Sequence, residues 1–198
     1  MAVPVGADAG WVPHVHEVAI LAAAQVFGWD APYVAGVTAA RLHGARIQSI
    51  ATAHVTVPRQ TRRLRLHSPD GTVVFHQRAE RVITPMWESE DPWSIDSTPA
   101  GPWLDVHEGE LCTFRLTSPV QTVLDLMHAP SRLGHATETH EVAWQLVQRI
   151  GFDECHAAAG GQRRHRAAHA AMDLRPTVPP PEFWRKLAPR PDVPGSRP

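Results

Sequence analysis

The chain has 198 residues, of which 43% are hydrophobic and 20% are charged. This length and composition predict one globular domain with a substantial core and exclude a largely disordered chain. The formal net charge of −1 favours no class of partner by itself, and two cysteines are too few for a disulfide framework or a thiolate metal site.

Opposite charges are segregated along the chain. Between Arg41 and Arg81 there are eight arginines and two acids, a formal balance of +6, whereas Trp87 to Glu110 holds seven acids and no lysine or arginine, a balance of −7. Such blocks create local electric fields that a total near zero conceals. The blocks either bind partners of opposite charge or face each other within the fold.

Residues 1–13 predict a flexible lead-in, and residues 14–175 a single domain. The helical spacing of apolar residues over 16–27 predicts a helix that ends at Gly28, and 38–43 a second one with Thr38 as its N-cap. The apolar run 18–24 covers only about half a bilayer and follows no basic segment. We therefore expect a cytoplasmic protein without membrane contact, in a reducing compartment.

A β-hairpin follows. Residues 54–57 and 63–67 alternate as strands, residues 68–71 supply turn chemistry, and residues 72–76 alternate again. A four-residue turn predicts that Leu66 pairs with Val73 and Leu64 with Phe75. These four side chains would face inward, and the outward face would be basic, with Arg63, Arg65, His67 and His76.

The second half of the chain is predicted to be mainly helical. An acidic Trp/Pro loop over 87–110 precedes a strand over 111–116. Ser118 and Gln121 form a capping box for a helix that begins at Pro119, and further helices fit 139–150, 153–159 and 162–174. Residues 176–198 predict a Pro-rich C-terminal tail. The fold expected is α+β, with a small antiparallel sheet and its basic hairpin packed against several helices.

No set of residues specifies catalysis. The histidine pairs are His14/His16, His135/His140 and His165/His169. Only His165 and His169 have the spacing of two zinc ligands on one helix, and no third ligand is evident. Both cysteines fit core thiols, and Gly160-Gly161 lacks the residues of a phosphate-binding loop. We expect no cofactor, metal, catalytic residue or small-molecule substrate. A histidine-metal hydrolase centred on His165 and His169 remains the enzymatic alternative.

The arginines carry the stronger signal, because several guanidiniums in a short segment reach phosphates or carboxylates together. A solvated face paired with the acidic block is the alternative. The candidate macromolecule-binding residues are Arg59, Arg62, Arg63, Arg65, His76, Arg78, Arg163, Arg164 and Arg166.

Three segments, in this order, resemble antitoxins of the abortive-infection AbiEi type. The first is Tyr33 to Gly44, a strand leading into an alanine-rich helix that ends near His-Gly. The second is His54 to Arg59, followed by Val73 to Arg78, and the third is Leu116 to Leu126, with its Thr-Ser-Pro helix start and Asp-Leu. Together with their connections they span about 120 residues, from Trp29 to Ile150.

The resemblance implies an antitoxin core that neutralises a cognate nucleotidyltransferase toxin, in many members together with autoregulation through an N-terminal winged helix. Only 32 residues precede Tyr33, so we expect the full winged helix to be absent. The expected partners are a nucleotidyltransferase-like toxin and, as the alternative, promoter DNA bound by the basic hairpin.

Overall fold

The structure, a computed structural model, describes residues 11–45, 51–78, 103–133 and 136–161. Several predictions lie outside these residues: most of the lead-in, most of the acidic loop, the helix over 162–174 and the Pro-rich tail. The same holds for Arg163, Arg164, Arg166, His165 and His169.

The described residues form five helices and six strands, which confirms mixed α and β content. The helices are α1 (Val15–Phe27), α2 (Gly36–Leu42), α3 (Pro119–His128), α4 (Ala136–Ile150) and α5 (Phe152–Gly161). The strands are β1 (Tyr33–Val34), β2 (Thr52–Val57), β3 (Leu64–His67), β4 (Asp70–Gln77), β5 (Leu104–Glu108) and β6 (Thr113–Thr117). None of these helices is both long and apolar enough to cross a membrane.

All six strands belong to one mixed sheet in the order β3-β4-β2-β1-β6-β5. The pairs β2–β4 and β1–β6 are parallel, and the other three are antiparallel. The expected small antiparallel sheet is therefore wrong. Alternation identifies a strand but not its neighbours, and here the hairpin turns its second strand, β4, towards β2 and leaves β3 at the edge.

The hairpin has a different register from the predicted one. Leu64 pairs with Val73 and Leu66 with Gly71, so the turn contains only Ser68 and Pro69. The two-residue shift preserves the faces, because side chains alternate with a period of two. Gly71 lies inside β4, where a Cβ would stand 2.8 Å from Cγ2 of Val15 and 2.9 Å from the Ala51 carbonyl oxygen. This glycine permits a close approach of α1 rather than a turn.

The inward face of the hairpin is only partly buried. Val73 and Phe75 are buried under α1, as predicted, whereas Leu66 is half-buried and Leu64 is 38% exposed. The edge strand β3 extends beyond the cover of the helix, so Leu64 is not a core residue.

Two apolar clusters form most of the core. In the first, Ala19, Ile20 and Ala23 of α1 pack against Val55 and Val73 of the sheet. The second lies among the helices and joins α2, α3, α4 and α5; it includes Val37, Val123, Leu124, Val142, Leu146 and Cys155.

The acidic segment is not a loop throughout. Residues 104–108 form β5, which pairs antiparallel with β6, and Leu104 is buried. Asp105 is half-buried and Glu108 is exposed, so neither carboxylate of β5 enters the core beside Val106. Sequence composition obscured this strand because its acids and the nearby prolines are typical of loops.

Helix α2 begins two residues before the predicted cap. Its N-cap is Ala35, and Thr38 lies inside the first turns, where its hydroxyl accepts a hydrogen bond from the His54 backbone N–H at 3.0 Å. Thr38 therefore ties α2 to β2 instead of capping the helix.

Helix α3 begins as predicted, at Ser118 and Pro119. The Ser118 hydroxyl accepts from the Gln121 backbone N–H at 3.3 Å. A complete capping box would also join the Gln121 side chain to the Ser118 backbone N–H. Instead, the Ser118 N–H donates to the Trp103 carbonyl, and the Gln121 side-chain amide donates to Asp125.

We expect Ser118→Ala to lower the free energy of unfolding by about 1 kcal/mol, since an N-cap hydroxyl contributes about that much. Urea denaturation followed by circular dichroism measures the change. Ser131→Ala, at an exposed position, is the control. Equal stability of the two variants would contradict the assigned cap.

Candidate binding groove

A groove of about 660 Å³ opens between the sheet and the segment that follows α3. Its sheet side comes from β1, β2 and β4, and the opposite wall from α3 and residues 128–133. The polar and charged side chains that line it are Tyr33, Thr56, Gln60, Thr61, Arg63, His76, Gln77, Arg78, Asp125, His128, Ser131 and Arg132.

Arg78 joins the two walls. Its backbone N–H donates to the Val57 carbonyl at 3.0 Å, which extends the β2–β4 ladder by one residue. Its Nη1 donates to the Tyr33 hydroxyl at 3.0 Å and lies 3.7 Å from Oδ2 of Asp125 on α3. Burial raises the pKa of Tyr33. Burial alone would lower the pKa of Arg78, but Tyr33 and Asp125 raise it, so the guanidinium stays charged.

Two histidines of adjacent strands lie side by side, His54 on β2 and His76 on β4. Nδ1 of His54 and Nε2 of His76 are 2.9 Å apart, and the rings are nearly parallel, with an interplanar angle of 10°. Burial, and to a smaller extent the adjacent His76, lowers the pKa of His54 to about 3. Burial and then Arg132 and Arg63 lower the pKa of His76. Both rings are therefore neutral at pH 7, with one donating to the other.

Arg63 and Arg132 lie at the rim, one on each wall. The segment that carries Arg132 is fixed by two backbone bonds, from Val37 N–H to the Leu133 carbonyl at 3.2 Å and from Arg132 N–H to the Ala129 carbonyl at 3.1 Å. Both side chains are exposed, and neither forms an ion pair with another described residue. Three arginines and one aspartate give the groove a formal charge of +2.

The predicted binding residues separate into two groups. Arg59, Arg62, Arg63 and Arg65 are all exposed and follow β2 or lie on β3, and we call them the basic segment. His76 and Arg78 are half-buried inside the groove, so the prediction that His76 lies on an exposed hairpin face is wrong. The physical reason is that α3 and residues 128–133 lie against that side of the sheet. Only Arg63 belongs to both the groove and the basic segment.

Arg65 has a weak local partner. Its Nη2 lies 3.9 Å from Oδ1 of Asp70, and the two side chains are 75% and 81% exposed. A solvated pair of this kind contributes little to stability, so Arg65 remains accessible to a partner.

The groove residues that were not identified from the sequence as site residues include the two partners of Arg78, Tyr33 and Asp125, and the rim residue Arg132. Asp125 could have been identified from the sequence, because it lies outside the apolar stripe of its helix. Tyr33 is the single tyrosine of the chain, in a two-residue strand that the pattern did not specify. Arg132 had no local signal, because its position depends on how the α3–α4 connection packs.

Other reactive side chains lie apart from the groove. Burial raises the pKa of Cys112 and of Cys155 to about 11, so both thiols stay protonated at pH 7. The rings of His14 and His16 stack with centroids 5.2 Å apart. Within the described ranges, no three His, Cys, Asp or Glu side chains come together as a metal site would require.

A comparison of the chain with models of known protein families finds no match, and a comparison with curated proteins finds none either.

The histidine pair predicts a pH-dependent stability. His54 takes up a proton at about pH 6.5 in the unfolded chain but only at about pH 3 when folded. The unfolded state therefore binds more protons between these values, and stability falls as the pH decreases, by up to about 1.4 kcal/mol per unit. From pH 7 to pH 5 we expect His54 to account for about 2 kcal/mol.

Urea unfolding at pH 7 and pH 5 tests this dependence. His54→Gln should reduce the difference between the two pH values, whereas His67→Gln, on the exposed edge strand, should leave it unchanged. Part of the slope should persist, because burial also lowers the pKa of His16, to about 4. An unchanged slope in His54→Gln would contradict the neutral buried pair.

Proposed function

We propose that the protein is an antitoxin-like binding protein that neutralises a nucleotidyltransferase toxin by occluding it, without chemistry of its own. The observation that carries the proposal is the basic segment, in which four exposed arginines lie within seven residues of chain. The three-part resemblance to AbiEi-type antitoxins supplies the class of partner.

The placement of the basic segment supports a protein partner. Residues 58–63 connect β2 with β3 outside regular structure, and β3 is the edge of the sheet. The hydrogen bonds of the Gln60 and Thr61 side chains go to carbonyls of the segment itself, and the side chains of Arg59 and Arg62 are exposed. Arginine is enriched among the residues that dominate binding energy at interfaces, and its planar group binds carboxylates in a bidentate manner.

The decisive experiment is co-expression with the neighbouring gene. We expect that gene to encode a nucleotidyltransferase-like toxin whose growth inhibition this chain relieves. The double variant Arg59→Gln/Arg62→Gln should bind the purified toxin at least ten-fold more weakly, since loss of an interface arginine costs more than about 1.4 kcal/mol at a dominant position. Arg41→Gln, exposed on α2, is the matched control.

Two results would refute the antitoxin proposal. One is a neighbouring gene that encodes no nucleotidyltransferase-like protein, and the other is toxicity that this chain leaves unaffected. Equal loss of affinity in Arg41→Gln would show that the basic segment has no special role in the complex.

DNA binding is the second candidate function, supported by the same exposure of Arg59, Arg62 and Arg65. Contacts to phosphates would make the affinity fall steeply with salt, by about 0.9 in log K per unit log salt for each phosphate neutralised. Electrophoretic mobility shifts of the promoter duplex at 50 and 200 mM salt measure this dependence. No retardation, or a response that is flat in salt, excludes the DNA-binding alternative.

A further inference from the structure

The carboxylates of the described residues only partly balance the arginines of the groove. Asp125 is engaged on both oxygens, by the Gln121 amide at 2.7 Å and by Arg78 at 3.7 Å. The two rim arginines, Arg63 and Arg132, face each other across the opening without a carboxylate from the described part of the chain. Among the described residues, the groove therefore keeps a net positive charge that an anion would complement.

The polar side chains of the groove lie at different depths. Arg63 and Arg132 lie at the exposed rim, whereas Tyr33, which is 3% exposed, and the half-buried Arg78 lie further in. The Tyr33 hydroxyl oxygen accepts from Arg78 and is also hydrogen-bonded to the Thr56 side chain, so Tyr33 holds Arg78 in place within the groove. An anion that enters would meet guanidiniums from two walls.

The formal charge of +2 distinguishes among anions. A phosphomonoester carries a charge of about −1.5 to −2 at pH 7, whereas a carboxylate or a backbone phosphodiester carries −1. Guanidinium groups bind phosphate oxygens in a bidentate manner. The monoester is therefore the anion that balances the groove.

The size and lining of the groove leave space for more than the anion. Its volume of about 660 Å³ lies within the range of small-molecule sites, about 300–1,000 Å³. Ala35, Val74 and Leu133 supply apolar surface beside the charged rim, against which an organic group would pack.

We infer that this groove binds the phosphomonoester group of a small molecule, held by Arg63 and Arg132 at the rim and Arg78 below, with the organic part against Leu133. Nucleotides and sugar phosphates share this chemistry. The site is separate from the toxin-binding role of Arg59 and Arg62, neither of which lines the groove.

Isothermal titration calorimetry of the full chain with phenyl phosphate tests the inference, with benzoate as its monoanionic counterpart. We expect phenyl phosphate to bind at least ten-fold more tightly than benzoate. Arg63→Gln and Arg132→Gln should each weaken phenyl phosphate about ten-fold, as expected for the loss of one charge-assisted contact. Arg59→Gln, in the same segment as Arg63, is the matched control and should leave the affinity unchanged.

Adenosine 5′-monophosphate and glucose 6-phosphate, titrated in the same way, distinguish the two sources, since the one that fits the groove should bind more tightly than phenyl phosphate. The inference is overturned if phenyl phosphate fails to bind at millimolar concentration, or if Arg132→Gln binds it as well as the unchanged protein does. Displacement of phenyl phosphate by duplex DNA, with no binding of either monoester metabolite, would also overturn it.

The outcome is independent of the antitoxin proposal. Arg132→Gln should bind phenyl phosphate about ten-fold more weakly and still neutralise the toxin, whereas Arg59→Gln/Arg62→Gln should bind the toxin more weakly and keep its affinity for phenyl phosphate. Loss of both activities in both variants would contradict the separation of the two sites.

Discussion

The parallel pairing of β2 with β4 is the constraint on which the groove depends. Six residue pairs, from Thr52↔Thr72 to Val57↔Gln77, fix the register, and the backbone bond from Arg78 to Val57 extends it. One face of this pair carries Val55, Val57, Val73 and Phe75 into the core under α1. The other face necessarily carries His54, Thr56 and His76. A slip of one residue would exchange the two sets, and the arginine would no longer reach Tyr33.

Hydrogen bonds between neighbouring side chains explain why so polar a sheet face is stable beside the core. A buried polar group is costly unless it is hydrogen-bonded. The histidines bond to each other, Tyr33 accepts from Arg78, and Asp125 has both Arg78 and Gln121. The same rule holds on β6, where Arg115, with its side chain 5% exposed, lies 3.0 Å from Asp30. The rim arginines differ, because water rather than protein solvates them.

Local sequence patterns predicted the elements better than their arrangement. Gly28 ends α1 and Ser118 begins α3 as expected, because caps and stop signals act within a few residues. The neighbours of β4 and the start of α2 were missed because both depend on distant contacts, such as the bond from His54 to Thr38. The same difference between local and distant contacts applies to the groove. Arg63, His76 and Arg78 were singled out for their charge, but only tertiary packing brings Tyr33, Asp125 and Arg132 to them.

The position of β3 at the edge of the sheet has a consequence for self-association. Its outer backbone groups pair with no strand in the described ranges. An exposed edge strand that is flat and apolar tends to pair with a second copy of the chain. Leu64 and Leu66 alternate there with Arg65 and His67, so two molecules that aligned edge to edge would bring like charges together. The charge of Arg65 therefore opposes edge-to-edge pairing of two copies of the chain.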